Sequence, residues 1–221
     1  MSLFSGTDLT CVRGERTVFS GLTFAMDAGG MLLLVGPNGS GKSSLLRLMA
    51  GLSPPAHGVI RWQDTDTMDD PEAHNGRLHY VGHHDAIKPV LTVAENLRFW
   101  AEMHGGSTDV DRRVSQALEG FGIPYLSDIP ARYLSAGQSR RTSLARILSS
   151  PAPLWLLDEP TTALDRDAVA ALEAAITEHR SAGGMAVIST HTPIKGDGAE
   201  TLDLTPFAQA AHDSEDASAA A

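Results

Sequence analysis

MLLLVGPNGSGKSSLLRLM, residues Met31 to Met49, joins three kinds of pattern without a break. The opening MLLLV is wholly apolar and reads as a buried strand. Leu45, Leu46, Leu48 and Met49 then recur at helical spacing, and Gly51, Pro54 and Pro55 follow, which predicts a helix from Lys42 to about Leu52. Between strand and helix, Gly36 to Ser43 matches G-x-x-x-x-G-K-[ST] in full, in the context where that pattern has a mechanism. Such a turn cradles phosphate: its glycines free successive backbone N–H groups to face one anion, and the helix dipole adds attraction. Gly36, Pro37, Asn38, Gly39, Ser40, Gly41 and Ser44 are therefore candidate phosphate-binding residues. Lys42 is placed to reach β- and γ-phosphates, and the Ser43 hydroxyl to ligate Mg²⁺.

A matching partner lies downstream in LWLLDE, where four apolar residues end on Asp158. A carboxylate at a strand's end beside the loop can hold Mg²⁺ through its water shell, because hard cations take oxygen ligands. Glu159, one residue on, points elsewhere and is the candidate general base for an attacking water. His191 follows another buried strand, MAVIST. Ligands gather at the carboxyl ends of parallel strands, so His191 is expected to contact the γ-phosphate and to orient Glu159. Between these strands Ala168, Leu172, Ala175, Ile176 and His179 mark a helix.

The remaining segments complete an α/β pattern. The first thirty residues read as short strands and turns, LHYVG as a strand, and DTDTMDDPEAHNG as an acidic, turn-rich loop. Helices take over from about Asp85 to Leu148. Thr92 with Glu95 forms a capping box ahead of Val93, Leu97, Trp100 and Ala101 on one face. Ser135 with Gln138 forms a second, which sets LSAGQ at a helix N-terminus. Strand–helix alternation interrupted by one helical block implies a parallel core with a helical insert. The last stretch, AQAAHDSEDASAAA, is small and acidic, and disorder is expected over 208–221.

LSAGQ raises a question of number. Leu134, Ser135, Ala136, Gly137 and Gln138 offer a second anion site in a chain that already has one. It belongs to the helical insert and is expected well away from Lys42 of the same chain. Two incomplete sites suggest two chains that complete each other.

GPNGSGKS, LSAGQ, LWLLDE, TALD at Thr162 to Asp165 and His191, in this order and spacing, resemble the nucleotide-binding domains of ABC transporters over nearly the whole chain. The resemblance implies an α/β P-loop NTPase (RecA-like) core with an N-terminal antiparallel β subdomain and an inserted α-helical signature subdomain at about 85–148. One ATPase domain would span 1–207. ATP and Mg²⁺ are implied as ligands, in a head-to-tail dimer with two ATP molecules sandwiched between copies. Asp165 would link the two sites, and hydrolysis would drive separate transmembrane subunits.

Three residues depart from the family pattern. Ala136 stands where the signature usually has glycine and brings a methyl toward the γ-phosphate. Arg13 stands near the place of an adenine-stacking aromatic, and a guanidinium plane can stack on a base instead. His84 stands where a coupling glutamine is expected after YVG, with His83 beside it as the alternative. Imidazole responds to pH as an amide does not. Adjacent on a strand, the two side chains would diverge.

GHHDAIKPVLTVAENLRFWA, STHTPI and CVRGERTVFSGLTF are further similar to the ATP-binding subunit of the bacterial haem exporter of cytochrome c maturation. That resemblance implies work at the cytoplasmic face of the inner membrane, with haem handled by partners. An ABC ATPase with another cargo would share the same ATPase motifs. A small-molecule P-loop kinase would have no use for LSAGQ or TALD. A net charge of −10 disfavours nucleic acid as a partner. No apolar run nears the roughly 18–20 residues of a membrane span, and nothing resembles a signal peptide. Cys11 stands alone, which excludes intrachain disulfides and CxxC zinc or haem motifs. The nine histidines show no zinc-helix spacing with carboxylate support.

Overall fold

The computed structural model describes residues 2–105, 108–192 and 194–208. The chain opens with β1 (Phe4–Arg13) and β2 (Arg16–Met26), an antiparallel pair of ten and eleven residues where short strands were expected. Phe4, Leu9, Phe19 and Leu22 are fully buried on its inner face, which is why the pair runs so long. β3 (Met31–Val35) leads into the glycine loop and α1 (Lys42–Met49). That helix stops three residues short of Leu52, because Gly51 turns left-handed at φ +68°.

β4 (His57–Trp62) and β5 (Thr65–Asp66) return to the first sheet, giving the order β2-β1-β4-β5. The segment expected to be an acidic loop thus contains β5, and it also contains α2 (Pro71–Asn75). Asp70 caps α2 by accepting from the Ala73 N–H at 3.0 Å, and Pro71 supplies a preset φ in the first turn.

The second sheet is parallel. It holds β6 (Leu78–Val81), β7 (Leu154–Asp158), β8 (Met185–Ser189), β3 and β9 (Glu200–Asp203) in the order β6-β7-β8-β3-β9. Its central strands are buried on both faces, so side chains alternate between two cores. Leu154, Leu156, Met185 and Val187 join the core shared with α1 and the antiparallel sheet. Trp155, Leu157, Ala186 and Ile188 join the core shared with the helices. β9 carried no strand signal: ETLD is polar and lies at an edge, paired only with β3.

The helical block comprises α3 (Val93–Gly105), α4 (Val110–Gly120) and α5 (Ala136–Ser149), and α6 (Arg166–Ser181) lies between β7 and β8. The capping box ahead of α3 forms as expected. The Thr92 N–H donates to Glu95 Oε2 at 2.7 Å, and the Glu95 N–H donates to Thr92 Oγ1 at 3.2 Å. Val93, Leu97 and Ala101 are buried. Ala208, placed at the head of a disordered tail, instead closes a helical turn by donating to the Leu204 carbonyl at 3.1 Å. Residues 209–221 of the expected tail lie outside the described residues. Among the described residues no helix is long and apolar enough to cross a membrane.

Candidate functional site

β7, β8 and β3 are neighbours, so their carboxyl ends bring together groups the sequence keeps far apart. β3 delivers the glycine loop, β7 delivers Asp158 and Glu159, and the turn after β8 delivers His191. Gly41 closes the loop onto α1 at φ +100°, and a Cβ there would lie 2.7 Å from the Phe19 ring. Both the conformation and the space demand glycine. Lys42 is buried, and its Nζ donates to the carbonyls of Gly36 at 2.8 Å and Pro37 at 3.1 Å, across the loop.

Ser43 Oγ donates to Asp158 Oδ1 at 3.0 Å, and Ser189 Oγ donates to the same oxygen at 2.6 Å. A buried carboxylate beside a hydroxyl is a hard-oxygen pair, and these residues fit Mg²⁺. Glu159 turns away from that pair because its backbone is left-handed, at φ +46°. Its N–H donates to the Ser189 carbonyl at 3.0 Å and to Ser189 Oγ at 3.2 Å. Its Oε1 lies 3.3 Å from His191 Nε2. A non-glycine residue in this region costs of order 1–2 kcal/mol, so the surroundings must hold it there.

Lys42, Ser43, Glu159 and His191 line one cleft of about 510 Å³ together with Arg13 and Val18. Arg13 is exposed at the end of β1 and lines this cleft. An adjoining cleft of about 470 Å³ shares Arg13, Ser43 and Ser44, and adds Tyr80, His83, His84 and Asp158. The two histidines do not diverge. They follow β6 rather than lie in it, and their rings meet edge to face at 5.7 Å between centroids. Both therefore border the same space.

The helix head lies elsewhere. Ser135 caps α5: its Oγ accepts from the Gln138 N–H at 3.3 Å, and Gln138 Oε1 accepts from the Ser135 N–H at 2.9 Å. None of Leu134, Ser135, Ala136, Gly137 or Gln138 lines either cleft. Gly137 instead packs on the TALD segment, where a Cβ would lie 3.0 Å from the Ala163 carbonyl. Asp165 caps α6 by accepting from the Ala168 N–H at 3.0 Å, and it pairs with Arg141 of α5. The Ala168 N–H chiefly, with Arg141, holds its carboxyl below the usual range. Within one chain, Asp165 ties TALD to the helix that carries LSAGQ.

Sequence reasoning missed two residues. Ser189 orients both Asp158 and Glu159, and its signal was a hydroxyl at the end of an otherwise apolar strand. Arg140 is buried behind Glu159, and a second arginine in "QSRRT" gave no hint of which one points inward. Cys11 is buried, and burial pushes its thiol up, as suits a packing residue.

The chain matches the ABC transporter family model over residues 19–162. It is 58% identical over 210 residues to the cytochrome c biogenesis ATP-binding export protein CcmA of Paramagnetospirillum magneticum, covering 95% of this chain and 97% of that one. Among solved structures, an ATP-binding subunit of an ABC transporter superposes with a TM-score of 0.80 at 28% identity, covering 86% of this chain and 80% of its own. A dimeric ATP-binding cassette in a post-hydrolysis state, bound to ADP and Pi, shares the fold with a TM-score of 0.74 at 24% identity, over 86% of this chain and 88% of that one. The chain belongs to the ABC transporter ATPases, and within them to the cytochrome c biogenesis ATP-binding export proteins.

Proposed function

We propose that this chain is the ATP-hydrolysing subunit of a complex that exports haem, or releases it from a periplasmic haem chaperone, during cytochrome c biogenesis. The observation that carries the chemistry is the convergence of Lys42, Ser43, Glu159 and His191 on one cleft at the ends of three adjacent strands. The N–H groups of the Gly36–Ser43 loop and the Lys42 ammonium bind the β- and γ-phosphates of ATP, and Ser44 adds a hydroxyl at the start of α1. Arg13, which lines the cleft, stacks on the base. Ser43 and Asp158 hold Mg²⁺, which when bound neutralises phosphate charge.

Glu159 takes a proton from the attacking water as the water oxygen bonds to the γ-phosphorus and the bridging P–O bond breaks, releasing ADP and phosphate. His191 holds the Glu159 carboxylate in line. His84, or His83, senses events at the neighbouring cleft in place of an amide. Leu134 to Gln138 and Asp165 serve the ATP held by a second copy of the chain, which their position outside their own cleft supports. Separate transmembrane subunits receive the motion and handle haem, with this chain peripheral at the cytoplasmic face of the inner membrane.

The test is a covalent-haem stain of cells whose only copy carries Lys42→Ala, with b-type haem measured alongside. Loss of c-type cytochromes with b-type haem intact is expected. Normal c-type cytochromes would sink the haem role and leave an ABC ATPase with another cargo.

A further inference from the structure

We propose that Arg140 is a positioning residue for hydrolysis: it fixes the backbone that aims Glu159, and it fastens that backbone to the LSAGQ helix. Arg140 sits early in α5 and is only 4% exposed. Its Nη2 donates to the carbonyls of Asp158 at 2.9 Å and Glu159 at 2.8 Å, and its Nε donates to that of Pro160 at 3.4 Å. Its Nη1 donates to the Gly82 carbonyl at 2.9 Å and pairs with Asp85 Oδ1 at 3.2 Å. One guanidinium thus gathers the carboxyl ends of β6 and β7 onto the signature helix.

The number of acceptors matches the chemistry. Arginine has five N–H donors in a rigid fork, and here five oxygens meet it. Three of them are consecutive carbonyls that converge because Glu159 is left-handed. Without a cation between them, three converging carbonyl dipoles would repel, and the chain would relax toward an ordinary conformation. That relaxation would swing the Glu159 carboxylate away from His191. Arg140 does not line the cleft, so it acts through Glu159 rather than on the nucleotide.

This inference rests on Glu159 being the general base, and the experiment separates the two. Steady-state hydrolysis and ATP affinity are measured on the full chain with Arg140→Lys, alone and combined with Glu159→Gln. Lysine keeps the charge but cannot meet five acceptors. Arg140→Lys alone is expected to lower kcat about 10²-fold, as a misplaced reacting group does, with ATP affinity unchanged. In the Glu159→Gln background the same change is expected to move the residual rate less than about threefold, since the group it positions is gone.

Equal losses in both backgrounds, or a loss confined to ATP affinity, would overturn the role. Normal hydrolysis by Glu159→Gln alone would instead remove the base. Should Arg140→Lys not fold, Asp85→Ala removes the one carboxylate that holds Nη1 and leaves the guanidinium held by its carbonyl acceptors alone. It is then expected to lower kcat in the same background-dependent way, and an unchanged kcat would overturn the proposal.

Discussion

His79 shows what a sheet buried on both faces does to one polar residue. It lies on β6 opposite Trp155, 2% exposed, with Nε2 bonded to Ser150 Oγ at 3.0 Å and to the Ser150 carbonyl at 3.1 Å. Burial first, then His104, Arg146 and His179 nearby, push its pKa down to about 3 against the opposing pull of the Ser150 carbonyl. The folded protein therefore prefers neutral imidazole. Stability from this residue is full above the unfolded value near 6.5 and is lost as pH falls from there toward about 3, by about 1.4 kcal/mol per pH unit. Urea unfolding at about pH 7 and about pH 5.5 should show wild type losing about 1 kcal/mol more than His79→Gln. Equal losses would show that His79 is not the acid-sensitive group. At this scale the sequence was uneven. Lys42, Ser43 and Asp158 were legible because motif spacing and strand context both constrain them. The left-handed Glu159 and the inward turn of Arg140 were not, since each depends on carbonyls supplied by residues distant in sequence.

The turn from α6 to β8 is where an element's end is set by packing. His179, in the last turns of α6, stacks on Trp155 with ring centroids 3.8 Å apart and planes 4° apart. Its Nε2 also bonds to the Met185 carbonyl at 3.2 Å, so the ring is held on two sides. Gly184 passes directly over it, and a Cβ there would lie 2.1 Å from His179 Cε1. The imidazole cannot retreat into Trp155, so Gly184→Ala must break the stack. We expect a loss of about 1–3 kcal/mol in urea unfolding, the usual cost of overpacking. ATP affinity should be unchanged, because Gly184 precedes the amino end of β8 and the nucleotide cleft lies at the other end. A variant as stable as wild type would mean that the ring has room to move. Elements of this kind explain which strands were readable. MLLLV, LWLLD and MAVIS face a core on each side, and continuous apolar sequence announces that. β4 owes its pairing to β1, about fifty residues earlier, and no local pattern encodes so distant a partner, while β5 is only two residues long and pairs with β4 alone. β9 pairs along one edge only, and its composition stays polar.

At the scale of the whole molecule, the proposed dimer makes the chain half of two sites. The phosphate loop, Glu159 and His191 share one cleft, while Ser135 and its neighbours cap a helix that contributes to neither cleft of its own chain. A head-to-tail pair related by two-fold symmetry would close each loop with the other copy's LSAGQ, and would do so twice. Ser135→Arg should therefore abolish hydrolysis while leaving the variant's own loop able to bind ATP. Lys42→Ala should fail for the opposite reason, with an intact LSAGQ and a loop that no longer binds ATP productively. Mixed together, the two variants have complementary defects. In each heterodimer, one site joins the intact loop of the first chain to the intact LSAGQ of the second, and the other site collects both lesions. Equal mixing makes about half the dimers mixed, so hydrolysis should return to about a quarter of the wild-type rate per chain if sites fire independently. The measurement is ATPase activity of the separate and mixed variants at one total protein concentration. Activity in the mixture above the sum of its parts requires a site shared between chains. A mixture as inactive as its components would mean that LSAGQ serves its own chain, and the two-chain site would have to be abandoned.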